Sequence, residues 1–101
     1  MFGKNKLKKL FEVFNNNSEE FNFRKTIEEL QELSLVLTQQ LNKPSKDLSS
    51  NIIEEIAHVK IRLKYLETKY SNDDVEIEVN KKIKQLYKNV NNRRRSHTTD
   101  R

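Results

Sequence analysis

The sequence predicts an all-α fold, an antiparallel helical bundle completed by dimerisation or tetramerisation. Three observations point there. The chain has one Gly and one Pro, so β-hairpins lack their turn residues while long helices run uninterrupted. Apolar residues recur at steps of three and four along several segments. Short polar stretches join those segments, which sets consecutive helices antiparallel. The need for a second copy follows from a thin core. Of 101 residues, 34% are hydrophobic and 35% charged, against roughly 45–50% and 25% in ordinary domains. A small protomer short of core often finishes it by oligomerising.

Residues 1–17 read as an N-terminal amphipathic basic segment. Phe2, Leu7, Leu10, Phe11 and Phe14 approximate one helical stripe, with Lys4, Lys6, Lys8 and Lys9 on the other faces. A membrane-surface helix and a docking helix share that pattern; docking is preferred, because the segment is short and the protein needs core. Residues 18–90 form the helical domain. Its first helix runs to about Asn42. It starts after Ser18, or at Thr26, where Thr26 and Glu29 make a T-x-x-E capping box. Ile27, Leu30, Leu37 and Leu41 mark the apolar face, with Leu33 and Val36 alongside. KPSKDLSS is a loop around Pro44, which has no N–H to donate inside a helix.

The next helix spans about 50–70, capped by Asn51 with Glu54 or by Ser50 alone. Ile52, Ile56, Val59, Leu63, Leu66 and Tyr70 give it a seam with a period near 3.5, as in bundles and coiled coils. SNDD is a turn, and Asp73 with Glu76 makes a second capping box. The last helix covers about 74–90, with Val75, Val79, Ile83, Leu86 and Val90 as its stripe. Residues 91–101, NNRRRSHTTDR, carry no apolar period and are expected to be a disordered basic tail.

Composition excludes several classes. Cysteine is absent, which removes disulfide frameworks and Cys-based zinc sites. No apolar run approaches the ~18 residues of a membrane span, and the first residues lack the apolar core of a secretory signal. A cytoplasmic protein with no membrane partner is expected. The net charge of +5 gathers at the two ends. Arg93, Arg94 and Arg95 suit weak nonspecific nucleic-acid contact, or solubility. No aromatics are interleaved among them to stack bases.

Two places depart from scattered surface charge. EELQE supplies Glu28, Glu29 and Glu32; EEIAH supplies Glu54, Glu55 and His58. Helical residues three apart share a face, so Glu29 pairs with Glu32 and Glu55 with His58. Neither pair belongs to the apolar stripe of its helix, though each can flank it. Antiparallel packing lets the pairs converge, with three carboxylates and an imidazole around one small space. A divalent cation relieves the repulsion, and carboxylate-rich sites suit Mg²⁺ or Mn²⁺. The alternative is ordinary: Glu is a strong helix former, favoured near helix starts by the dipole.

The order of these blocks resembles the MazG-like all-α NTP pyrophosphatase family, especially its small phage-type members. Glu28-Glu29-Leu30-Gln31-Glu32 stands as its EE-x-x-E block. NIIEEIAHVKIRLKYL resembles its NLxEEIADVxIxLxxL run, and VNKKIKQLYKNV its Asn-x-Lys run, with Asn80 and Lys82 in place. The resemblance spans about 24–92. It implies cleavage of a nucleoside triphosphate between the α- and β-phosphates, on a helical homodimer or homotetramer, in a bacterial cell or phage-infected host. It implies Mg²⁺, with Mn²⁺ as a substitute, held by Glu29, Glu32 and Glu55. Glu28, with Glu29 the catalytic carboxylate, serves as a ligand or positions a water. Asn80 and Lys82 hold the triphosphate, a role for which a lysine's point charge is suited. Arg62, one turn beyond His58, binds phosphate or pairs with a glutamate.

His58 departs from that pattern, standing where the family carries a metal-binding Asp. Imidazole suits Zn, Fe, Ni or Cu better than Mg²⁺. The departure leaves three outcomes: activity with an altered metal, activity with Mg²⁺ on three carboxylates and waters, or a non-catalytic relative. That last outcome is an interaction protein, a helical oligomer whose basic ends contact nucleic acid or a protein partner.

Overall fold

A computed structural model describes residues 2–99, with side chains through 94. Four helices make up the described residues: α1 Lys4–Asn15, α2 Glu19–Asn42, α3 Ser49–Tyr70 and α4 Asn72–Thr99. The chain divides into two compact units, Met1–Leu66 and Glu67–Arg101. The first holds α1, α2 and most of α3; the second holds the last turn of α3 and all of α4. No helix among the described residues is long and apolar enough to cross a membrane.

Capping chemistry decides where the helices begin. Of the two starts expected for α2, the chain uses Ser18, whose Oγ accepts from the Phe21 N–H at 3.0 Å. Thr26 lies inside the helix, and its Oγ1 donates to the Asn22 carbonyl instead of capping. The caps expected for α3 at Ser50 or Asn51 are not used. Asp47 accepts from both the backbone N–H and the hydroxyl of Ser49, and those hydrogen bonds hold its carboxyl below the usual range. The loop is also clasped by Gln40, which donates to the Lys46 carbonyl and accepts from the Leu48 N–H.

The second unit begins with another displaced cap. Ser71, not Asp73, caps α4, its Oγ accepting from the Asp74 N–H at 3.2 Å. Ser71 does so at φ 139°, the one positive-φ non-Gly residue described, a backbone region that L residues adopt only at a cost in strain. α4 passes the expected end near Val90 and continues to Thr99, through most of the stretch expected to be disordered. Asp100, Arg101 and the Arg95 side chain lie outside the described residues. Val75, Val79, Ile83, Leu86 and Val90, the stripe of α4, are all exposed.

In the first unit α2 and α3 run antiparallel. Asn22 meets Arg62, Glu29 meets His58, and Gln40 meets Leu48, so the paired numbers rise on one helix as they fall on the other. The row of α2 that turns inward is Asn22, Thr26, Glu29, Leu33, Val36 and Gln40. Opposite it stand Leu48, Ile52, Glu55, Val59, Arg62 and Leu66. Both rows keep the alternating three-and-four step of a seam. Three of the α2 positions are buried and polar: Asn22, Thr26 and Glu29.

That assignment corrects the expected faces. Ile27, Leu30, Leu37 and Leu41 each follow an inward residue by one position. They are exposed, Leu41 by 82%. Ile53, Ile56 and Leu63 do the same on α3 and are also exposed. One step along a helix turns about 100°, and on antiparallel neighbours the same step turns both rows to one side of the pair. Much of the apolar surface read from the sequence thus forms an outer face, while Leu33, Val36, Ile52, Val59 and Leu66 stay inward. The inner seam mixes those apolar residues with a polar stretch, Asn22, Thr26 and Glu29.

α1 docks as expected, through Phe14, which is buried. Its ring meets Tyr65 edge-on at 5.3 Å, and the Arg62 guanidinium lies 5.8 Å from its centroid. The Asn22 side chain ties the three helices together. It is 2% exposed, donates to the Phe14 carbonyl at 3.0 Å and accepts from Arg62 at 3.2 Å. Replacing Asn22 with Ala leaves a buried carbonyl and a guanidinium without that partner, at about 1–3 kcal/mol for each unsatisfied group. Asn22→Ala is expected to lower the urea midpoint clearly without changing the slope. An unchanged midpoint would show that α1 is held by Phe14 alone.

Candidate metal centre

Two helical spacings meet at one level of the seam. Glu29 and Glu32 come from successive turns of α2, Glu55 and His58 from successive turns of α3. One ligand atom from each of these four residues lies within 4.8 Å of all the others. Donors on opposite sides of an ion held at about 2.1 Å stand about 4.2 Å apart, so small side-chain rotations bring this set to coordinating range. The site is graded in exposure: Glu29 is buried, Glu55 and His58 half-buried, and Glu32 exposed. A cation there has one protein-covered side and one open side.

The electrostatics are those of crowded acids. Burial is the main cause that raises the Glu55 pKa, and the Glu32 charge adds to it; His58 works against both. Glu29 adds to the same upward push. His58 Nδ1 lies 2.9 Å from Glu29 Oε2 and 3.8 Å from Glu55 Oε2. These three atoms are nevertheless buried without an aligned hydrogen-bond partner. The His58–Glu29 separation is close enough for an ion pair, but the ring N–H direction does not serve it. Buried polar atoms are nearly always satisfied, and two things can satisfy these three: a proton on His58 facing both carboxylates, or a cation between them. Carboxylate oxygens and an imidazole nitrogen all have lone pairs to give, and a divalent cation fits that donor set.

The other expected residues fall in different surroundings. Glu28 is exposed and ion-paired with Lys25 at 3.0 Å, away from the four-residue cluster. Lys25 is held above its ordinary pKa mainly by Glu28, with Glu29 and Glu32 adding to it. Arg62 is half-buried and fixed by Asn22 and the Phe14 ring. No ion pair between Arg62 and a glutamate is seen among the described residues. Asn80 and Lys82 lie on α4 in the second unit, both exposed, and Lys82 donates to Gln85. Two neighbours went unassigned in the sequence. Glu54 Oε1 stands 4.0 Å from His58 Nε2, a relation that the E-x-x-x-H spacing itself could have flagged. Lys25 had no such signal beyond its distance from Glu28.

No family model, curated protein or solved structure matches the chain.

Glu55 supplies a pH test. Its raised pKa means that the folded chain binds this proton more tightly than the unfolded chain does. Above the unfolded value near 4.3, stability from this group is therefore lost as pH rises through the folded pKa. Glu55→Gln is expected to flatten that decline and to raise the melting temperature of the metal-free protein at pH 7. A lower melting temperature for the variant at pH 7 would mean that the ionised Glu55 is well served in the metal-free fold.

Proposed function

We propose that the chain is a MazG-like nucleoside triphosphate pyrophosphohydrolase, converting an NTP or dNTP to the monophosphate and pyrophosphate with a divalent cation, Mg²⁺ or Mn²⁺. The observation that carries the reading is the orphaned set of buried atoms, Glu29 Oε2, Glu55 Oε2 and His58 Nδ1, converging where the resemblance puts the metal. The order of the acidic blocks along the chain supports the choice of substrate. A nucleotide substrate places the work in the cytoplasm of a bacterial cell or an infected host.

Glu29, Glu32 and Glu55, with His58, would hold the cation, and Asn80, Lys82 and Arg62 are assigned to the triphosphate. When bound, the cation neutralises phosphate charge and lowers the pKa of a water. Hydrolysis forms a bond from a water oxygen to the α-phosphorus. It breaks the bond from that phosphorus to the α–β bridging oxygen, and pyrophosphate leaves with the electron pair. The water's proton goes to a carboxylate, for which Glu29 and Glu28 are the assigned residues. Glu29 faces the cluster, whereas Glu28 must first leave Lys25.

A panel of NTPs and dNTPs with Mg²⁺ or Mn²⁺, assayed for pyrophosphate, tests the reading. Wild type is expected to release pyrophosphate, and Glu32→Ala to lose about 100-fold or more, the scale of a lost metal function. No pyrophosphate under any condition sinks it.

One observation favours a second reading. His58 sits 2.9 Å from Glu29, so a protonated imidazole can stand in for a cation. The chain is then a non-catalytic helical oligomer that binds nucleic acid or a protein through its basic ends. Pyrophosphate release by His58→Asp, with none from wild type, selects that reading.

A second copy of the chain is the proposed cover for the outer face of α2 and α3. Burial of apolar surface contributes roughly 25 cal/mol per Å², and seven large apolar side chains stand exposed there. Light scattering is expected to give a dimer or tetramer for wild type. The double variant Leu30→Lys, Leu37→Lys is expected to run as a monomer that keeps its helical circular dichroism. A wild-type monomer at assay concentrations overturns the assignment.

A further inference from the structure

We infer that His58 makes the acidic cluster a nitrogen-containing site, tuned to a later first-row transition cation such as Co²⁺ or Zn²⁺ and away from Mg²⁺. The inference rests on the proposed metal centre and concerns which ion that centre takes. His58 Nδ1 is the ring atom turned into the cluster, 2.9 Å from Glu29 Oε2 and 3.8 Å from Glu55 Oε2. It is buried and has no aligned hydrogen-bond partner. Glu29, the residue beside it, is more than nine-tenths buried, with Oε2 equally unpartnered. When the ring is neutral with its proton on Nε2, the Nδ1 lone pair faces carboxylate oxygens and no donor.

The far side of the ring completes the argument. A metal-bound histidine usually passes its second N–H to a carboxylate, which fixes the tautomer and raises the basicity of the ligating nitrogen. Here Nε2 faces Glu54 Oε1, one turn earlier on α3, at 4.0 Å. A small rotation of an exposed glutamate closes that gap. Glu54 is therefore a positioning residue: it holds the proton on Nε2 and leaves Nδ1 free to bind. Mg²⁺ gains little from such a nitrogen, since it prefers oxygen donors in strict octahedral geometry and keeps its waters. Imidazole bonds better to transition ions.

Most sites bind Co²⁺ more tightly than Mg²⁺, so a preference in wild type alone decides nothing. The diagnostic quantity is the change in the Co²⁺-to-Mg²⁺ affinity ratio on substitution. Calorimetric titration of the full chain, wild type against His58→Asp, is expected to show that ratio falling by about 10-fold or more, through weaker Co²⁺ and stronger Mg²⁺ binding. Glu54→Gln is expected to weaken Co²⁺ while leaving Mg²⁺ unchanged. Pulsed electron paramagnetic resonance of Mn²⁺-loaded wild type needs no variant, and is expected to show coupling to an imidazole ¹⁴N. Mn²⁺ bound without that coupling, or a ratio unmoved by His58→Asp, overturns the inference while the metal centre stands. No binding of any of the three ions overturns both.

Discussion

Half of the seam between α2 and α3 is polar, and the register and the acidic cluster of the first unit follow from that half. Asn22, Thr26 and Glu29 occupy successive inward positions of α2 and are buried. A row like this contributes little hydrophobic stabilisation, and each member needs a partner. Thr26 finds one on its own helix and Asn22 finds two on other helices. Glu29 Oε2 finds none with proper alignment. The polar seam thus sets the helix register through Asn22 and leaves one acidic level open, three residues further along than Thr26.

Register and site are linked through Arg62. It is one turn beyond His58, and its guanidinium is anchored by Asn22 on α2 and by the ring of Phe14 on α1. The N-terminal helix therefore does more than add core. By packing Phe14 against Arg62 it helps to hold a permanent cation at the neighbouring level of the seam. A guanidinium cannot lose its charge in this pH range, and Arg62 directs its own to Asn22 and the Phe14 ring.

How much of this was legible depends on what periodicity measures. The order of four helices and the turns between them follow from the three-and-four step and from Pro44, and they appear in the structure. Periodicity names the apolar face of a helix but not what covers it. On α2 the apolar row and the inward row are adjacent, one residue apart. The eye takes Ile27, Leu30, Leu37 and Leu41 for core, and they turn outward. Caps failed for a related reason. Asp47, Ser49, Ser50 and Asn51 compete for one helix start, and Ser71, Asn72 and Asp73 for another. All can accept a backbone N–H, and the tertiary path of the loop chooses. The convergence of Glu29, Glu32, Glu55 and His58 was readable, because spacing on two antiparallel helices fixes it. The anchor of Arg62 was not, since Asn22 lies forty residues away and nothing in its neighbourhood marks it.

An imidazole in place of a fourth carboxylate changes both states of the site. With no cation bound, it removes one negative charge from a level where the Glu32 and Glu29 charges already push the Glu55 pKa up. It also puts a group beside Glu29 that can itself become positive. The metal-free fold is less strained for it. With a cation bound, the same change withdraws a charged oxygen, on which a hard ion depends most, and offers a neutral nitrogen, on which a transition ion depends more. On the proposed reading, affinity for Mg²⁺ would fall on two counts: a weaker donor set, and a metal-free state with less repulsion to relieve. A transition ion loses on the second count alone. The two effects have one origin, so on the proposed reading a tolerable empty site and a narrowed choice of metal arise together from His58.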